Sequence, residues 1–246
     1  MRLAASLICL LLLTGSAFAS EGAGCSPGTS GDDEIRCSLG DDSHPGDPGA
    51  DLIVGLEGND RLAGGTGRDR VFGGNGADVV EGNDGDDLVD GEAGHDSVFG
   101  DLGSDQLRGS SGADSLVGGD GNDSLDGGPG DDELRAQNGN DGSFGGDGAD
   151  LINGGLGTDM LDGQWGDDLL KGGAGPDQIY GGAGGDTIVP GSGIDVVRAS
   201  SGDDVVFGAA GGRDRIRCGS GSDLVYADPG DRVAPDCERV ERQKAR

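Results

Sequence analysis

The chain has 246 residues, of which 56 are glycine and only eight are aromatic, and its 47 acidic residues outweigh 17 basic ones for a formal net charge of −30. Such a composition offers no broad basic surface for nucleic acid or an anionic membrane, and it is far from that of an ordinary enzyme domain. Glycine loses more backbone freedom on folding than any other residue, so a folded form needs a reason for each one, and a cation is the natural partner for the charge.

In chain order, the first element is Met1-Arg2, an apolar run from Leu3 to Leu13 and the small-residue stretch Ala17-Phe18-Ala19, which read together as a signal peptide over residues 1–19. The apolar run, about eleven residues long, falls short of the roughly twenty that cross a bilayer, and no other segment comes near that length, so no membrane span is expected. Cleavage before Ser20 removes Cys9 and leaves Cys25, Cys37, Cys218 and Cys237, an even number in an exported chain. Their clustering favours the pairs Cys25–Cys37 and Cys218–Cys237 over the long-range pairings, and over a zinc site that would have to join the two ends of the chain.

From Gly28 to Phe207 the chain divides into twenty windows of nine without an insertion. Place four is Gly and place six Asp in all twenty. Place eight is Ile, Leu or Val in eighteen, the exceptions being His44 and Ser143, and place one is Gly in sixteen. Compositional bias cannot hold Gly and Asp in one phase over that length. One residue is inserted between Gly208 and Arg213, after which Asp214-Arg215-Ile216 and Asp223-Leu224-Val225 make two weaker copies. Places one to six have the composition of a tight turn, and places seven to nine of a three-residue strand whose middle side chain faces a core. Place two is Gly in only nine windows, which puts in question any turn conformation there that demands glycine. Residues 20–45 read as an N-terminal cap with the first degenerate repeats, 46–207 as the regular array, and 208–246 as degenerate repeats and a C-terminal cap.

Windows such as Gly64-Gly65-Thr66-Gly67-Arg68-Asp69-Arg70-Val71-Phe72 and Gly118-Gly119-Asp120-Gly121-Asn122-Asp123-Ser124-Leu125-Asp126 resemble the calcium-binding nonapeptide G-G-x-G-x-D-x-U-x of the RTX, or haemolysin-type, repeat family. The resemblance implies an all-β fold, a right-handed parallel β-roll solenoid in which two windows make one coil and windows n and n+2 stack. One edge of the rod would then carry Asp33, Asp51, Asp69, Asp87, Asp105, Asp123, Asp141, Asp159, Asp177, Asp195 and, past the insertion, Asp214. The other would carry Asp42, Asp60, Asp78, Asp96, Asp114, Asp132, Asp150, Asp168, Asp186, Asp204 and Asp223. Stacked carboxylates repel unless a cation sits between them. Further oxygens would come from backbone carbonyls at Gly58, Gly67, Gly76, Gly85, Gly94, Gly103, Gly112, Gly121, Gly148, Gly157 and Gly166. An all-oxygen site of flexible geometry suits Ca2+, and pairs of stacked windows allow up to about eighteen ions.

No catalytic constellation accompanies the repeat. The two histidines, His44 and His95, form no H-E-x-x-H pair, no G-x-S-x-G elbow occurs, neither lysine completes a Walker loop, and the EF-hand spacing fails. His95 falls in a turn, and Trp165 and Tyr180 are isolated aromatics. The expected function is that of a secreted, non-enzymatic calcium-binding protein that folds on Ca2+ into a rigid acidic rod. One alternative is a calcium-dependent adhesin or surface-matrix component with an extracellular polysaccharide or cell surface as partner. Another is a non-catalytic module or remnant of a polysaccharide-modifying enzyme or protease. Ice binding is disfavoured, since Thr187 is the one threonine at places seven and nine.

Overall fold

The computed structural model describes residues 24–208 and 212–242, and the signal-peptide reading of residues 1–19 lies outside them. The described residues form strands and turns without a helix, arranged as two sheets of 12 and 13 parallel strands. Successive strands alternate between the sheets. Leu52–Glu57 therefore pairs not with the next strand, Arg61–Thr66, but with Arg70–Asn75 in the register Leu52↔Arg70 and Ile53↔Val71. Eighteen residues, or two nonapeptides, thus make one coil, and the architecture is a parallel β-roll. After the insertion the register becomes Val196↔Arg215 and Val205↔Leu224, one residue longer on each sheet.

Parallel strands joined by three-residue turns can bury only the side chains between the two sheets, and place eight supplies them. Ile53, Val71, Val80, Val89, Leu116, Leu125, Ile152, Leu161, Ile179 and Ile188 each have no exposed surface. His44 and Ser143 occupy core places too, at 5% and 1% exposure. The array does not break at Ser143, because Gly142–Asp147 stays paired with Ser124–Pro129 on one side and Met160–Trp165 on the other.

The strands are longer than places seven to nine. Most have six residues and run on through places one to three of the next window, leaving only places four to six as turn. The ladder skips place one and resumes at place two, as in Val54↔Phe72 followed by Leu56↔Gly74. What permits this is a left-handed residue at place two, found both at Gly65 and Gly74 and at Leu56, Asn83, Glu92, Asp101, Ser110, Gln137, Gln164 and Ser200. The same backbone is thus held with and without glycine, and eight side chains accept a φ that L-residues avoid. Place four tolerates no such freedom. A β-carbon on Gly67 would overlap the carbonyl oxygen of Gly49 one coil below, and the same holds at Gly121 over Gly103, so glycine here is a condition of stacking.

Disulfides Cys25–Cys37 and Cys218–Cys237 staple the two ends. Beyond the two weaker copies, Arg232–Val233 pairs with Arg215–Ser220 and Arg239–Arg242 with Leu224–Ala227, so the C-terminal segment adds one further strand to each sheet.

Candidate metal centre

Place six brings the sequence-derived aspartates into two single files, one on each edge of the roll. Twenty of the 22, from Asp51 to Asp223, are at most 4% exposed, while Asp33 and Asp42 in the first coil are half-buried. The chain enforces this burial because each Asp is fixed at three points. Its carbonyl accepts from the place-seven N–H of the next coil, as in Leu52 to Asp33 at 2.9 Å. Its N–H donates to the Oδ1 of the next aspartate up the rod, as from Asp51 to Asp69 and from Asp60 to Asp78, at 2.8 and 2.7 Å. Its own Oδ1 accepts the matching bond from below.

Oδ2 is different. In nineteen of these aspartates, among the described residues, it is buried with no hydrogen-bond partner. It folds back against the place-one glycine of its own window, where a β-carbon on Gly64 would stand 2.6 Å from Asp69 Oδ2. Among the described residues, donors to Oδ2 are supplied only at the rod ends. The Thr29 N–H and hydroxyl reach Asp33 Oδ2 at 2.7 Å, Ser38 N–H reaches Asp42 Oδ2 at 2.8 Å, and Asp228 N–H reaches Asp231 Oδ2 at 2.7 Å.

A buried carboxylate oxygen without a donor is costly, and like charges one strand spacing apart repel by on the order of 3 kcal/mol at an effective dielectric constant of 20. The protonation behaviour reflects both. Burial, offset in part by the hydrogen bond from the preceding aspartate and reinforced by ladder neighbours, pushes Asp96, Asp150, Asp177 and Asp186 up to about 7. Burial likewise pushes Asp60, Asp87, Asp105, Asp123, Asp132, Asp141, Asp204 and Asp214 up to about 6.

The donor set fits a hard cation bound through oxygen. Beyond the ladder carboxylates, backbone carbonyls can contribute further oxygens. The place-four carbonyls are suited to this, since each is aimed at the place-four glycine of the next coil and none accepts a turn N–H among the described residues. That arrangement covers the eleven glycines singled out from sequence and also Gly130, Gly139, Gly175, Gly184, Gly193 and Gly202. The described residues hold one cluster of three potential side-chain ligands, Cys25, Cys37 and Asp42, but the disulfide takes both sulfurs.

Two ladder members lay outside the sequence reading. Asp231, 6% exposed, accepts from Asp214 N–H at 3.1 Å, and Glu238 accepts from Asp223 N–H at 3.0 Å. Their separations from the rung below are 17 and 15 residues, so no nine-residue phase marks them. The remaining singled-out side chains do not join the ladders. His95 is exposed and accepts from Ala113 N–H at 2.8 Å, and Trp165 stands out at 65% exposure.

A family model described as the RTX calcium-binding nonapeptide repeat matches residues 45–80, 72–107, 108–142, 144–161, 162–197, 180–212, 189–223 and 200–233. No curated protein matches the chain. With the repeat matched over most of its length and the ladder geometry in every coil, the chain belongs to the RTX calcium-binding nonapeptide repeat family.

Proposed function

We propose that this is a secreted protein whose activity is to bind many calcium ions and thereby fold, from a largely unfolded chain, into a rigid acidic rod without enzymatic activity. The observation that carries the reading is the double file of nineteen buried, unpartnered Oδ2 atoms. Nothing among the described residues answers them, whereas a divalent cation between consecutive coils would. The ligands in this reading are the place-six carboxylates from Asp33 to Asp223 and the place-four glycine carbonyls, with Asp231 closing one file. Consecutive rungs of the twenty regular windows allow up to about eighteen Ca2+. Calcium-poor cytoplasm would keep the chain exportable, and two disulfides suit an oxidising compartment outside it. The domain reading follows: a signal peptide over 1–19, caps over 20–45 and 208–246, and the calcium-binding array over 46–207.

Far-UV circular dichroism of calcium-stripped protein, titrated with CaCl2 and in parallel with MgCl2, tests the proposal alongside calorimetric ion counting. The expected result is a coil spectrum that turns to β on calcium alone, with well over ten ions bound. A β spectrum indifferent to EGTA would overturn it.

A further inference from the structure

The charge of this chain is segregated. From Arg198 onward, nine of the 17 basic residues stand against nine of the 47 acidic ones, so the whole of the −30 lies before Arg198. Within that balanced end, the four neighbouring strands Gln178–Ala183, Val196–Ser201, Arg215–Ser220 and Arg232–Val233 of the first sheet contain no Asp or Glu. Their outward places hold Arg198, Arg215, Arg217 and Arg232, all exposed. The register sets Arg198 beside Arg217 and Arg215 beside Arg232. None of the four has a carboxylate within 4.0 Å among the described residues, whereas Arg36, Arg68 and Arg135 elsewhere on the rod do. Arg198 is also held in place, donating to Tyr180 Oη at 2.8 Å with its guanidinium 5.1 Å from the ring centre.

We infer that this face is a docking site for a linear polysaccharide bearing carboxylate groups. The guanidiniums occupy three successive strands about 4.8 Å apart along the rod axis, Arg215 and Arg217 sharing the middle one, so an extended chain of regularly spaced anions meets a cation at each of the three, whereas a compact anion meets one or two. A planar guanidinium pairs with a carboxylate through two parallel N–H bonds, and Val196 and the Tyr180 ring supply apolar surface for the sugar beside them. A nucleic acid, with its higher charge density, would suffer more from the acidic body of the rod. The inference rests on the calcium reading, because the four arginines come from three successive coils and form a face only when the coils are stacked.

The test is binding of short oligogalacturonates to the full chain in 1 mM CaCl2, with neutral dextran oligomers, dextran sulfate and a single-stranded oligonucleotide as comparisons and circular dichroism on every sample. The wild type is expected to bind oligogalacturonate, to ignore neutral dextran, and to lose affinity as NaCl rises. The double variant Arg198→Gln/Arg217→Gln, folded by circular dichroism, is expected to bind at least tenfold more weakly. Arg135→Gln, which removes an arginine already paired with Glu133, is expected to bind as wild type does. Calcium-folded wild type that does not bind, a double variant that binds equally well, or a preference for the sulfated polymer or the oligonucleotide would each overturn the docking site while leaving the calcium reading intact. A chain that fails to fold on calcium overturns both.

Discussion

Replacing one rung of the ladder, Asp132→Asn, is expected to act with opposite sign in the absence and presence of calcium. Asp132 is 2% exposed, accepts from Asp114 N–H at 2.8 Å through Oδ1, and buries Oδ2 without a partner. Burial raises its pKa from 3.8 to about 6, a shift of about two units, so keeping it ionised in the calcium-free fold costs about 3 kcal/mol at roughly 1.4 kcal/mol per unit. Asparagine keeps the Oδ1 acceptor and removes the charge, while its buried amide gives back about 1 to 2 kcal/mol for want of an acceptor. The calcium-free fold should therefore gain about 1 to 2 kcal/mol at pH 7.5. With calcium the residue faces both Asp114 and Asp150. Each interval it helps form is worth about 1.4 kcal/mol at 1 mM Ca2+ for a dissociation constant near 10⁻⁴ M, so losing two removes about 3 kcal/mol and leaves a net loss of about 1 to 2. Osmolyte-induced folding of the calcium-free chain measures the first effect, and urea unfolding in 1 mM CaCl2 with calorimetric ion counting measures the second. The expected outcome is easier calcium-free folding, lower stability in calcium and two fewer ions bound. Equal destabilisation in both media with an unchanged ion count would refute the reasoning and make the carboxylate a structural hydrogen-bond acceptor only.

Acid should partly replace calcium. Twelve of the ladder aspartates have folded pKa values raised to about 6 or 7, so their protonation favours the folded state, an advantage complete below the unfolded value near 4 and lost as pH rises through 6 to 7. Calcium-stripped protein is thus expected to gain β structure by circular dichroism as pH falls through that window, while calcium affinity declines; loss of structure on acidification counts against this. Gly121→Ala sets a β-carbon into the Gly103 carbonyl and should cost more than about 3 kcal/mol in urea unfolding. Gln137→Gly, at a left-handed φ of 78°, exchanges strain for chain entropy and should stay within about 1 kcal/mol of wild type. Ser143→Val fills a core place between Leu125 and Leu161 and removes a buried hydroxyl without a partner, so it should stabilise by about 2 to 3 kcal/mol. The buried Ala136 in the same window does not forbid the larger side chain, because Ala199 and Val206 already coexist in corresponding places.

The nonapeptide phase determined the core at place eight and the aspartate at place six, because every window meets the same surroundings and repeats the same local solution, while the β-roll, its eighteen-residue coil and the two files of aspartate were what the resemblance to the RTX repeat implied. Even the cysteine pairing was legible, since Cys25 and Cys37, like Cys218 and Cys237, are near neighbours in the chain. What the tertiary structure decided lies wherever the answer depends on the coil above or below. Place two reads as a doubtful turn position, yet stacking holds Gln137 and Glu92 in the left-handed conformation that lets the strand run on for six residues. The ladder ends at Asp231 and Glu238 because they stand over Asp214 and Asp223 in space, at separations the period does not contain. The division of labour within nineteen of these carboxylates, Oδ1 bound to the coil below and Oδ2 to nothing among the described residues, is likewise a property of the stack. A nine-residue pattern states which side chain repeats, but hydrogen bonding between residues eighteen apart decides which of its atoms are satisfied and which remain for a cation.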